Sequence, residues 1–225
     1  MCEVGFLKNR TVRRLEELMA SSLRYAIFRT RWGWFGLLGT ERGLLRTCLP
    51  ISTRSKAKSA LLKDIWAASY DRKLFVELQA GIKAYFEGVC VDFAKIPVVL
   101  DGLGDFGTAV LTACRKVQYG QTISYGQLAG LTGKPKAGRA AGNILARNPV
   151  PLIIPCHRVI RSNRRIGGFS AAGGRGLKKR MLQLEGFQLA DGFQTPSASL
   201  KKEQVWNDKK GQVKNHSRYA QKDIR

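Results

Sequence analysis

A cysteine followed at once by a histidine, Cys156 and His157, stands in the run NPVPLIIPCHRVI (residues 148–160). The thiolate is the nucleophilic form of cysteine, and a cationic setting or a histidine proton relay increases its population. Arg158 comes next and further bases surround it, so the pattern predicts a thiol pKa depressed below its ordinary value. Over residues 108–188 the chain carries 14 Lys and Arg against one acid, Glu185. A lone acid among so many bases is a candidate third member of a Cys, His and acid relay. Plainer readings stay open. A cysteine after an apolar run is often inert core, and an acid near the end of a helix is often a surface charge. Neighbours on a strand also point to opposite faces, so Cys156 and His157 need not meet.

The surrounding elements must position these groups. Prolines at 149, 151 and 155 forbid a helix and predict an extended, rigid approach to Cys156, buried through Leu152, Ile153 and Ile154. The segment GLKKRMLQLEG (176–186) predicts a helix that brings Glu185 back against this core, and FGTAVLTACRKV (106–117) predicts another. Ser124 and Gln127 have capping-box spacing at the start of SYGQLAGL (124–131). After Thr132 and Gly133 a second helix is expected from about Pro135, since proline suits a first helical turn. It carries Lys136, Arg139 and Arg147, and two short helices about a Gly-containing turn predict a helix-turn-helix. Upstream, residues 25–50 read as two or three strands turning at Trp32 and Gly33 and again between Glu41 and Gly43. Residues 74–86 have helical spacing and stop at Gly88. The expected fold class is α+β: a small α/β N-terminal domain (1–100), then a mostly helical domain with a helix-turn-helix (101–188). Residues 1–22 read as an extra segment with amphipathic helical spacing, and residues 189–225 as a basic, mostly disordered tail.

Composition sets the class of partner. Hydrophobic residues make up 44% and charged residues 24%, as in ordinary soluble domains. No apolar run approaches the ~18 residues that span a bilayer. The first twenty residues carry Lys8, Arg10, Arg13, Arg14, Glu16 and Glu17 where a signal peptide has an apolar centre. The expected location is intracellular: cytoplasmic, or nuclear in a eukaryote. A net charge of +23 points to a polyanion, nucleic acid ahead of generic solubility charge or an anionic membrane. Lys178 is read as part of that exposed charge. Five cysteines without a CxxC argue against a disulfide framework, and with two histidines a structural zinc site is not expected.

The run PCHRVI, preceded by NPVPLIIP, resembles the hallmark of the O6-alkylguanine-DNA alkyltransferases, also called methylated-DNA–protein cysteine methyltransferases. YGQTISYGQLA (119–129), GKPKAGRAAG (133–142), IGGFS (166–170) and LEG (184–186) recur in the same order. Upstream, AYFEG (84–88) and GTERGLLRTCLP (39–50) look like the family's N-terminal domain, so the resemblance covers about residues 24–188. Phe169 stands where many relatives have Tyr, and Asn143 where a small residue is common.

The resemblance implies a single-turnover enzyme without a cofactor or metal. It would move an alkyl group irreversibly from O6-alkylguanine, and from O4-alkylthymine, in double-stranded DNA to its own Cys156. His157 would act as base through a water, oriented by Glu185, while Asn148 braces the turn that bears the thiol. Tyr125 would bend the phosphate backbone and donate a proton to N3 of the extruded guanine. Arg139 would fill the gap in the stack, with Lys136, Ala137, Ala140 and Gly142 on the helix entering the minor groove. The backbone at Cys156 and Val159 would read the exocyclic amine, the Ser170 amide would contact O6, and Phe169 and Pro151 would wall the alkyl pocket. The implied partner is damaged duplex DNA, with no membrane, and the expected state is a monomer. A non-catalytic sensor of the same fold would lack the acceptor, which is present here. A helix-turn-helix transcription factor has no use for Cys156 beside His157, and a cysteine hydrolase needs an oxyanion hole that the sequence does not display.

Overall fold

The computed structural model describes residues 23–188 and, beyond them, the backbone of Gln204–Val205 and Lys214–Asn215, which pair as a short antiparallel ladder. The expectations for residues 1–22, and otherwise for the tail, lie outside the described residues.

Where the sequence reads as two or three strands, three form: β1 (Arg24–Thr30), β2 (Gly33–Thr40) and β3 (Gly43–Ile51). They form an antiparallel meander, and β4 (Ser69–Tyr70) adds in parallel to β1, giving the order β3-β2-β1-β4. Gly33 follows the first turn at φ 136, and a side chain there would meet the Ile51 carbonyl, so only glycine fits.

The period-two alternation splits the sheet into two buried faces. Phe28, Phe35, Leu37 and Leu44 point into the main core, while Tyr25, Ile27, Leu38 and Cys48 face the other side. That outer face is covered by α1 (Arg54–Leu61), capped by Thr53 and not anticipated from the sequence; it contributes Ala57 and Leu61. The inner face receives α2 (Val76–Phe86) through Leu78, Ile82, Tyr85 and Phe86.

The same core continues through α3 (Asp105–Arg115), α4 (Tyr125–Gly130), α5 (Gly138–Ala146) and α6 (Gly174–Leu184), so sheet and helices share one interior. The α+β reading therefore holds. The Ser124 capping box forms in full, and β5 (Ile123–Ser124) pairs in parallel with β6 (Val159–Ile160), tying the start of α4 to the stretch after the cysteine.

One boundary differs. The second helix of the helix-turn-helix begins at Gly138, not near Pro135. Ala137 N donates to Lys134 O at 2.9 Å, closing a turn in which Pro135 holds the second position, where its fixed φ is favoured.

Candidate active site

The approach to Cys156 is a tight turn, not an extended strand. Ile154 N donates to Val150 O at 3.0 Å, and Leu152 adopts a left-handed φ of 79°. Such a conformation costs a non-glycine residue roughly 1–3 kcal/mol and persists only where neighbours enforce it. Two clamps do so. Asn148 Oδ1 accepts from Val150 N at 3.1 Å, while Nδ2 donates to Ile154 O at 2.8 Å and to Cys156 Sγ at 3.2 Å. From the sheet, the Thr47 amide donates to Pro149 O at 2.9 Å and the Thr47 hydroxyl to Pro151 O at 2.7 Å. The chain then enters a 3-10 turn, Cys156–Arg158. Successive side chains there diverge by about 120°, so Cys156 and His157 leave the backbone toward different surroundings without opposing each other as on a strand.

Behind the thiol lies a buried polar cluster. His157 is fully buried and Glu185, at the C-terminal end of α6, is only 5% exposed, so the acid is no surface charge. His157 Nε2 lies 2.8 Å from Glu185 Oε1, and the Tyr85 hydroxyl donates to the same oxygen at 2.7 Å. Arg158 grips the carboxylate through Nε (2.9 Å) and Nη2 (3.0 Å) and donates through Nη1 to Val117 O at 2.6 Å. Burial works to raise the Glu185 carboxyl, but hydrogen bonds and charge from His157 and Arg158 outweigh it and hold the pKa at about 2. Burial also pushes the imidazole below its ordinary value against the pull of Glu185, so His157 is neutral at neutral pH. With Nε2–H assigned as the donor to the carboxylate, the lone pair sits on Nδ1, which is buried and has no hydrogen-bond partner.

The expected depression of the thiol pKa is overturned. Burial raises Cys156 above the ordinary value, and this outweighs the lowering by Asn148, Lys178 and the backbone amides of Cys156 and His157. The reason is geometric: Arg158 has turned its donors onto Glu185 and Val117, and the neighbouring imidazole is neutral.

Lys178 is also not a surface cation. It is completely buried, with Nζ donating to Val159 O at 2.5 Å and lying 3.4 Å from the Gly168 carbonyl and the Tyr125 hydroxyl. Burial lowers its pKa to about 8, opposed by the charge of Cys156 and Cys114. Burial keeps the Tyr125 phenol above its ordinary value, hence protonated.

In front of the thiol opens a groove of about 1040 Å³. It is lined by Tyr125, Gly138, Arg139 and Gly142 of the helix-turn-helix, by Arg161 and Phe169, and by Cys156. Tyr125 packs tightly: its ring lies 3.6 Å from where a side chain at Gly142 would begin, and a side chain at Gly167 would strike its hydroxyl. Ser170 also lines the groove, and its hydroxyl donates to Ala146 O at 2.7 Å, fastening that loop to α5.

Other anticipated residues lie elsewhere. Lys136 and Ala140 are exposed but do not line the groove, and Ala137 caps α5 and packs on the core. Val159 is fully buried, with its carbonyl engaged by Lys178. Pro151 lines a smaller cavity beside Cys156. Reading the sequence missed Thr47, Tyr85 and the buried placement of Lys178; of these only Tyr85 had a local signal, inside AYFEG. Among the described residues no group of three or more His, Cys, Asp or Glu is gathered to hold a metal.

Comparison with known proteins agrees with this geometry. Residues 105–187 match the family described as 6-O-methylguanine DNA methyltransferase, DNA binding domain. The methylated-DNA–protein-cysteine methyltransferase of Methanosarcina acetivorans is 35% identical over 162 residues, spanning 72% of this chain and 97% of that protein. Its namesake in Rattus norvegicus is 42% identical over 176 residues, spanning 73% and 82%. The solved structure of Mycobacterium tuberculosis OGT in complex with DNA superposes with a TM-score of 0.59 at 29% identity, covering 72% of this chain and 92% of that one. The chain belongs to the methylated-DNA–protein-cysteine methyltransferase family.

Proposed function

We propose that the protein repairs DNA by direct reversal, taking the alkyl group of O6-alkylguanine, and of O4-alkylthymine, onto Cys156 in a single irreversible turnover. The observation that carries this reading is a buried thiol lining the same groove as Arg139 and Tyr125, backed by a neutral histidine with its Nδ1 lone pair unused. The alkylated atom lies inside the duplex, so the nucleotide is extruded at a cost of a few kcal/mol. Arg139, exposed on α5, enters the vacated stack and offsets part of that cost. The residues beyond about 100 form the domain that grips the minor groove, and those before it support the acceptor turn.

In the chemical step the Sγ–carbon bond forms as the carbon–O6 bond breaks, and the electron pair leaves on the guanine. His157 Nδ1 receives the thiol proton through a water, with Glu185 holding the ring. Tyr125 gives a proton to N3, and the Lys178 ammonium 3.4 Å from its hydroxyl steadies the charge left behind. Asn148 aims the sulfur, the Val159 backbone reads the exocyclic amine, and the Ser170 amide meets O6. Because burial keeps the thiol protonated, the transfer rate should climb as pH rises above neutrality. Intact-mass measurement after incubation with a duplex containing O6-methylguanine should show one added methyl, mapped to Cys156, and a plateau near one per protein. Cys156→Ser should gain none. Label on Cys48, Cys90 or Cys114, or turnover beyond one equivalent, overturns the reading.

A further inference from the structure

Helix α2 packs on the inner face of the sheet, and through Tyr85 it reaches the buried polar cluster behind the thiol. Tyr85 is fully buried. Its ring packs edge-on against Phe86 (centroids 5.1 Å apart) and Tyr119 (6.1 Å), with Phe93 also at 6.1 Å. Phenylalanine would fill that aromatic setting equally well, so packing does not account for the hydroxyl. Nor does the carboxylate need it as a partner. Glu185 Oε2 accepts from Arg158 Nε and from the Gly120 amide at 3.3 Å, and Oε1 accepts from Arg158 Nη2 and His157 Nε2. The Tyr85 hydroxyl, at 2.7 Å, is a third donor on Oε1, the oxygen that meets the imidazole.

That placement has an electrostatic consequence. A hydrogen bond to a carboxylate stabilises its charge and weakens its pull on a neighbouring proton. Burial and the Glu185 charge hold the phenol well above its ordinary value, so it acts as a donor. With its proton on Oε1, the phenol oxygen lies 3.4 Å from Nε2 and offers lone pairs to the ring N–H, which favours the tautomer that leaves Nδ1 free. The other charged or titratable groups around the ring, the carboxylate and the thiol are Arg158 and Cys156 of the acceptor turn, Lys178 of α6, Cys114 of α3 and Tyr119. Arg158 and Lys178 disfavour the imidazolium, and Glu185 favours it. Tyr85 therefore acts on the group that would charge the ring.

We propose that Tyr85 is a positioning residue of the relay: its hydroxyl takes a share of the Glu185 charge, so that in the free protein the imidazole stays neutral and the thiol protonated. The purpose rests on the alkyl-transfer reading, since an acceptor used once is lost if its thiolate meets another electrophile first. Tyr85 itself makes and breaks no covalent bond.

The test uses the full chain without DNA. Iodoacetamide alkylates the thiolate, and peptide mapping follows Cys156 apart from the other cysteines as pH is varied. The His157 ring is followed by the nitrogen shifts of isotope-labelled histidine, with His216→Gln leaving a single imidazole. Tyr85→Phe keeps the ring and removes only the hydroxyl. It should raise the midpoint of His157 protonation by roughly 0.5 to 1 pH unit and lower the midpoint of Cys156 alkylation by a similar amount. Replacing Tyr85 by 3-fluorotyrosine, a stronger donor of nearly the same size, should move both midpoints the other way. A hydroxyl that only ties the core together predicts midpoints that stay in place, or that shift in the same direction in both proteins, and either result overturns the proposal. If Tyr85→Phe does not fold, the direction of the fluorotyrosine shift decides alone. Failure of the alkyl-transfer reading looks different: a duplex carrying O6-methylguanine then leaves Cys156 of the unaltered chain unmodified, whichever way the midpoints move.

Discussion

The cations around Cys156 fall into two regions with opposite physics. In the groove, Arg139 and Arg161 stand in water, where charge is cheap to maintain and available to a polyanion. Behind the thiol, Arg158 and Lys178 are out of water, their donors turned onto Glu185, backbone carbonyls and the Tyr125 hydroxyl. The first region is open to a bound partner and carries few contacts that hold the fold. The second contributes order: it fixes the imidazole, ties α6 to the acceptor turn and sets the field at the sulfur. A basic stretch is therefore not one quantity, and the same count of Lys and Arg divides between binding and architecture according to burial.

The largest expected effect comes from breaking the buried region. Arg158→Met keeps bulk but leaves Glu185 enclosed with fewer partners, and such a loss destabilises a fold by about 3–5 kcal/mol. Urea unfolding should report it, while Arg161→Ala in the groove should change stability by no more than about 0.5 kcal/mol. The pH dependence sharpens the contrast. Glu185 has a depressed folded pKa, about 2 against an ordinary 4.5, so its stabilisation is present above the ordinary value and lost as pH falls toward 2. Arg158→Met should move that loss to higher pH. Equal stability of the two variants would erase the distinction between the regions.

The reverse asymmetry is expected for Arg139→Ala. It should leave stability nearly unchanged and slow transfer from duplex O6-methylguanine by on the order of tenfold, because extrusion loses its partner in the stack. Transfer from free O6-benzylguanine, which needs no extrusion, should be nearly unaffected. Lys136→Ala is the control for general attraction to phosphate, being exposed but outside the groove. Equal slowing by Lys136→Ala, or equal loss on the free base, would remove Arg139 from the stack.

How much of this was legible in the sequence follows the same division. The strands in residues 25–50 and the Ser124 capping box depend on local composition and spacing, and they folded as read. The turn at 148–155 was misread because its shape depends on carbonyl partners more than a hundred positions away: Thr47 reaches Pro151 across 104 residues. Lys178 looked like a surface charge, and the two readings of Glu185 stayed open, because a helix with Lys178, Lys179 and Arg180 in succession reveals its polar face, not which charge is turned inward. The thiol pKa failed for the same reason, since counting nearby bases ignores where Arg158 points. α1 was missed because only Ala57 and Leu61 of its residues are buried, too few for a clear apolar period.

Thr47 should show the smallest effect on transfer at neutral pH, and one that belongs to neither region alone. Thr47→Val keeps the shape and the amide bond to Pro149 but deletes the hydroxyl that donates to Pro151 O, leaving a carbonyl in the acceptor turn without that partner. The stability cost should be about 1–3 kcal/mol, the usual penalty for a buried polar group left unsatisfied. The turn holds Leu152 at φ 79, so a looser clamp also lets the Asn148 to Sγ contact lengthen. That contact lowers the thiol pKa, so its weakening should shift the rise of transfer rate with pH to more alkaline values. Because the change acts on the sulfur, duplex and free base should slow together, unlike the split expected for Arg139→Ala. Thr47→Ser, which restores the hydroxyl, should recover the pH profile. If Thr47→Val loses stability but keeps the original profile, Thr47 is a structural strap only, and the sheet has no part in tuning the acceptor.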